Sequence, residues 1–109
     1  MPDNAAYEVS LTLAGGAAVV QVSGEIDLAA KADLLGALTQ AAGGGRNVIV
    51  DLSRTTFMDS TALNALVEAW RSQTRAGLGF ALRNPSSEAR HTLVIAGLED
   101  VLPTTTTDD

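Results

Sequence analysis

The sequence predicts a small α/β domain with a mixed sheet that opens on an antiparallel hairpin. Three observations lead there. Two strand-like runs near the N-terminus are joined only by a glycine turn, the later strand-like runs alternate with helical patterns, and 109 residues suit one domain with one core.

Residues 8–13, EVSLTL, alternate polar and apolar, which sets Val9, Leu11 and Leu13 on one face of a strand. AVVQVS at 18–23 is a second strand, and AGGA between them carries the glycines of a tight hairpin. GEIDLAAKADLLGALTQAA places Leu34, Leu35, Leu38 and Ala42 at helical spacing, with Asp27 positioned to cap that helix and the glycines at 43–45 to end it. NVIVDLS is almost continuously apolar at Val48, Ile49, Val50 and Leu52, which predicts a central strand buried on both faces.

Leu63, Leu66, Val67 and Trp70 then follow at i, i+3, i+4 and i+7, the clearest helical stripe in the chain. LGFALR at 78–83 is a fourth strand, and NPSSEARHTLVIAGL reads as turn, cap and a last helix closed by Gly97. Leu98, Val101 and Leu102 are expected to pack back on the core before Pro103. Residues 1–109 are expected to form a single domain with its core at about 7–103, and TTTTDD at 104–109 to be a solvated tail.

Composition narrows the function classes. An apolar fraction of 46% is too high for a disordered chain. Much of it is alanine, so the core falls to the Leu, Val and Ile positions together with Phe57, Phe80 and Trp70. The net charge of -6, with the basic residues scattered, argues against nucleic acid or an anionic membrane as partner. The absence of cysteine removes disulfides, thiolate metal sites and thiol chemistry. MPDNAAYEVS lacks the basic and apolar regions of a signal peptide, and no run approaches the ~20 apolar residues of a membrane span. The chain reads as a soluble cytoplasmic protein that requires no cofactor.

Few residues offer chemistry. His91 is the only histidine, has no second ligand type beside it, and reads as a helix-surface residue. A Ser60–His91 hydrolase pair lacks the G-x-S-x-G elbow that would push the serine outward. The glycine runs at 15–16 and 43–45 lack the lysine of a phosphate-binding loop. Asp51, near the expected end of the central strand, reads as a cap for loop amides, since the paired acids and the late lysine of a receiver domain are missing. That leaves Asp59, Ser60 and Thr61 at the start of the second helix. Asp59 suits the N-cap, which turns Ser60 toward solvent at the positive end of the helix dipole. On the residues alone this is a cap worth roughly 1 kcal/mol with an exposed hydroxyl beside it.

VSGEIDLAAKADLLGAL, NVIVDLSRTTFMDSTALNALV and LRNPSSEARHTLVIAGLEDVLP, taken together and in this order, resemble a STAS domain over residues 7–103. More narrowly they are similar to bacterial anti-sigma factor antagonists. That resemblance implies a protein-binding module with no enzymatic activity. Its Asp59-Ser60 pair would match the site where such antagonists are phosphorylated by an anti-sigma factor with serine-kinase activity. The unphosphorylated form would hold that partner and free the sigma factor for transcription; phosphorylation of Ser60 would release it, and a phosphatase would reset the cycle. Asp27, in GEID, matches the loop beside the serine, and the partner surface carried over is Asp27, Asp59, Ser60, Thr61, Ala62 and Asn64. The family pattern Asp-Ser-Ser-Gly-Leu-Gly here reads Asp59-Ser60-Thr61-Ala62-Leu63-Asn64. Ala62 and Asn64 both favour helix over glycine, and the methyl of Ala62 is expected on the surface a kinase approaches. The alternative implied by the same resemblance is the STAS subunit of an ABC-type lipid-transport complex, docked on an ATPase with no phospho-switch.

Overall fold

The computed structural model describes residues 6–106. A five-stranded sheet runs in the order β1 (Tyr7–Ala14), β2 (Ala17–Ile26), β3 (Asn47–Met58), β4 (Phe80–Arg83) and β5 (Thr104–Thr105). β1 and β2 are antiparallel, joined by a tight turn in which Gly15 takes a φ of 63°, and every later neighbour is parallel. The parallel crossovers carry α1 (Lys31–Ala42), α2 (Ser60–Arg75) and α3 (Ser87–Ile95). This is the mixed α/β architecture the sequence predicts, with one addition. Thr104 and Thr105, assigned to the tail on sequence, pair with Leu82 and Arg83 and close the far edge of the sheet. Residues 107–109 of that expected tail lie outside the described residues.

The core lies on one face of the sheet. Ala18, Val20, Val22, Val48, Val50, Leu52, Phe80 and Leu82 meet Leu34 and Leu38 of α1, Leu66 of α2, and Ala89 and Leu93 of α3 in one buried cluster. The alternate strand positions Gln21, Ser23, Ile49, Ser53, Ala81 and Arg83 are exposed or half-buried. The expectation that β3 is buried on both faces is therefore corrected. Its apolar run is continuous because Ile49 faces the open side, where only Val19 and Asp51, each 8% exposed, are buried. Two further corrections concern the core roster. Phe57 is 50% exposed rather than buried, and of the C-terminal trio Leu102 is buried, Leu98 partly so, while Val101 is exposed.

β3 runs on to Met58, well past the expected end at VDLS. The extension RTTFM is rich in β-branched residues, and Thr55 is buried with its hydroxyl donating to the Val22 carbonyl at 3.0 Å. Two register shifts against β2 each set one extra β3 residue in the ladder, which absorbs the difference in strand length. Asp51 is thus a mid-strand residue and caps no loop. Its Oδ1 accepts from the Ser53 amide (2.9 Å) and hydroxyl (2.6 Å), and its Oδ2 accepts from Nε of Arg83 at 2.9 Å, directly across the β3–β4 ladder.

Burial alone would raise the Asp51 carboxyl pKa, but the Ser53 and Arg83 hydrogen bonds and the Arg83 charge outweigh it and hold the group below its ordinary value. A carboxylate whose folded pKa is depressed adds stability that is fully present above its unfolded pKa of ~3.9 and is lost as pH falls through the folded value. Urea unfolding of wild type should therefore lose stability below about pH 4. Arg83→Met should show a smaller loss over the same interval. Parallel pH curves for the two proteins would remove Arg83 from this account.

Candidate functional site

The site forms where β2 and β3 end. Ile26 and Met58 are direct partners in a parallel pair, so the chain leaves the sheet side by side at Asp27 and Asp59. The Asp59 amide donates to the Ile26 carbonyl at 3.2 Å and locks the two exits together. Each aspartate then caps a helical turn. Asp27 accepts from the Ala29 amide at 3.0 Å and opens a 3-10 turn, Leu28–Ala30, that leads into α1; it does not cap α1 itself, as the sequence suggested. Asp59 accepts from the Ala62 amide at 3.1 Å and caps α2. Three residues before Asp27, Gly24 has a φ of +85°, and a Cβ there would collide with the Ala6 carbonyl. Glycine at that position allows β1 and β2 to stay paired up to the exit.

Ser60 is the first residue of α2 and is exposed, with no hydrogen bond to its hydroxyl among the described residues. It sits at the positive end of a 16-residue helix. Thr61, directly after Ser60, and Asn64, one turn on, line a groove of about 280 Å³ together with Leu28, Lys31, Leu35 and Glu68. Ala62 does not share that surface. It is 2% exposed and belongs to the core, with its amide already held by Asp59. The expectation that its methyl meets a partner is corrected: position 62 follows the buried side of α2, together with Ala65, Leu66 and Gln73.

Two apolar side chains missed on sequence flank the site. Leu28, 70% exposed, stands on the 3-10 turn, and exposed Phe57 precedes Met58 at the end of β3. His91 is exposed on α3 and makes no hydrogen bond with Ser60. Among the described residues no group of acidic or histidine side chains is arranged to hold a metal, and no helix is long and apolar enough to cross a membrane. The arrangement offers a free hydroxyl on a helix N-terminus, two carboxylates behind it, and an apolar-lined groove beside it.

Comparison with known proteins agrees with this architecture. The family model described as the STAS domain matches residues 8–109. An anti-sigma factor antagonist from Mycobacterium paratuberculosis superposes with a TM-score of 0.84 at 25% identity, over 94% of this chain and 88% of its own. The anti-sigma factor antagonist SpoIIAA in its unphosphorylated form superposes at 0.72 with 24% identity, over 93% of this chain and 90% of its own. The Bacillus cell fate determinant SpoIIAA in its phosphorylated form gives 0.72 at 22% identity, over 93% of each chain. No curated protein matches the chain by sequence. The chain belongs to the STAS domain family, and the solved structures it shares its fold with include anti-sigma factor antagonists.

Proposed function

We infer that this protein is an anti-sigma factor antagonist, a binding module rather than an enzyme, switched by phosphorylation of Ser60. The observation that carries the reading is the exposed, uncommitted Ser60 hydroxyl at the start of α2, between the Asp27 and Asp59 caps and the groove lined by Thr61 and Asn64. In the unphosphorylated state this surface binds an anti-sigma factor with serine-kinase activity and frees the sigma factor. The Ser60 Oγ then attacks the γ-phosphorus of ATP held by that partner. An O–P bond forms, the bond to ADP breaks, and the hydroxyl proton passes to a base on the kinase.

The product carries about -1.5 to -2 extra charges at a helix N-terminus, whose free amides and dipole tolerate an anion. The fold therefore survives while the surface changes sign of preference. It supports this reading that SpoIIAA superposes on this chain equally well in its phosphorylated and unphosphorylated forms. A phosphatase that hydrolyses phospho-Ser60 restores binding.

Incubation with ATP and the anti-sigma factor kinase of the same cell, read by intact mass and fragmentation, should place one phosphate on Ser60 and none in Ser60→Ala. Absence of phosphate under every condition, with an ATPase co-purifying instead, would overturn the switch in favour of the lipid-transport subunit.

A further inference from the structure

We propose that the outer edge of β1 is a homodimer interface, on which a second copy of this chain adds its own β1 antiparallel to form a continuous sheet across the two-fold axis. β1 is the end of the sheet order, so among the described residues no strand pairs with its outer side. Edge strands in stable monomers are blunted by prolines, lysines, bulges or shortness. β1 has none of these. It is eight residues long, YEVSLTLA, its register with β2 runs one-to-one from Tyr7 to Ala14, and Glu8 is its only charge. The opposite edge, β5, is two residues long and follows Pro103, so it cannot recruit a strand in the same way. Growth from one edge only closes at two copies, which is the isologous arrangement.

The hydrogen-bonding phase of β1 selects the register. The Glu25 amide donates to the Ala6 carbonyl at 2.8 Å, which makes that pair a hydrogen-bonded one. Hydrogen-bonded pairs recur every second residue, so Glu8, Ser10, Thr12 and Ala14 bond inward to β2. Tyr7, Val9, Leu11 and Leu13 therefore present their N–H and C=O groups outward. Antiparallel pairing about a two-fold at Ser10 sets Tyr7 opposite Leu13 and Val9 opposite Leu11, so all four outward-facing residues find partners.

The same register suits the side chains. The half-buried apolar row of Tyr7, Val9 and Leu11 continues into its copy, and Leu13, 56% exposed in one chain, gains cover from the Tyr7 of the other. On the open face Glu8 lies opposite Thr12 rather than its own copy, so no like charges meet.

Ser10 lies opposite itself in this register and is exposed; it pairs with Gln21, five residues before the Ile26–Met58 end of the sheet that leads to Ser60, so it tests the interface without touching the phospho-switch. Wild type should sediment at twice 11.2 kDa. Ser10→Glu and Ser10→Lys each place like charges in contact across the axis and should sediment as monomers with unchanged circular dichroism. An equimolar mixture of the two should recover the dimer as a heterodimer. Amide exchange should show Val9 and Leu11 protected in the wild type and unprotected in either single variant. A monomeric wild type, a dimer indifferent to both substitutions, or a monomer whose Val9 and Leu11 amides stay protected would each overturn the proposal, the last by showing that another segment of the chain covers the edge.

Discussion

Under the proposed function, Ser60→Asp should weaken binding to the anti-sigma factor kinase by on the order of 100-fold, whereas Ser60→Ala should bind within a few-fold of the wild type. Consider a new charge about 6 Å from a carboxylate such as Asp59. Exposed to water the pair repels by about 0.7 kcal/mol, and at an effective dielectric of ~20 by about 2.8 kcal/mol. Docking moves the pair from the first condition to the second, so it costs about 2 kcal/mol, or roughly 30-fold in affinity. Partial desolvation of the new carboxylate carries the loss to the expected size.

Stability serves as the control. A negative charge in the first turn of α2 is favourable for the helix by about 0.3–1 kcal/mol, so Ser60→Asp should unfold at the same temperature as wild type or slightly higher. Binding by calorimetry and melting by circular dichroism together separate a repelled partner from a damaged fold. Equal binding by the two variants would remove the electrostatic switch.

The elements that sequence made visible are those whose signal is local. The AGGA turn, the Asp59 cap and the Ser86 cap, which accepts from the Ala89 amide at 3.1 Å, each depend on a few neighbouring residues. Element order and the mixed sheet follow from such signals combined with hydrophobic period. What stayed hidden depends on distant neighbours. The extension of β3 to Met58 is sustained by pairing with the long β2, and its bulges cannot be seen in either strand alone. The open face of the sheet is invisible in β3, because an apolar Ile49 reads the same whether a helix covers it or not.

The site divides in the same way. Asp59 and Ser60 were legible because a cap and its following residue have fixed directions. Asp27 and Asp59 meet only because β2 and β3 are parallel neighbours that end together. Ala62 stays hidden for a related reason: the apolar stripe of Leu63, Leu66, Val67 and Trp70 does not include it. The most buried line instead runs through Ala62, Ala65, Leu66 and Gln73, while Val67 and Trp70 are only half-buried. A small residue at the centre of a helix face leaves little hydrophobic signal, and a glutamine leaves none.

Gln73 is where that blind spot carries the most free energy. It is 1% exposed near the end of α2, and its Nε2 donates to the Arg46 carbonyl at 2.8 Å and the Gly79 carbonyl at 2.9 Å. Those carbonyls precede β3 and β4, so one side chain ties the helix to the start of both parallel strands. The backbone takes part as well, since the Gln73 carbonyl accepts from the Leu78 amide at 2.8 Å and turns the chain back toward β4.

Gln73→Leu keeps the approximate volume and removes the donor. Gly79 retains the Val48 amide as a partner at 3.0 Å, but the Arg46 carbonyl loses the side chain that satisfies it. Orphaning the part-buried Arg46 carbonyl costs about 1–3 kcal/mol, and the loss of the second bond adds about 1 kcal/mol. The gain from a more apolar side chain offsets part of this, leaving an expected destabilisation of about 2–3 kcal/mol. That is a large share of a domain stability of roughly 5–15 kcal/mol. In urea, with a slope of about 1–1.5 kcal/mol/M for a chain of this size, the midpoint should fall by about 2 M. Gln73→Glu should be at least as severe, because a carboxylate presents two carbonyl oxygens with an acceptor in place of a donor. A midpoint within about 0.5 M of the wild type for Gln73→Leu would mean that water reaches the Arg46 carbonyl and that the tie contributes little.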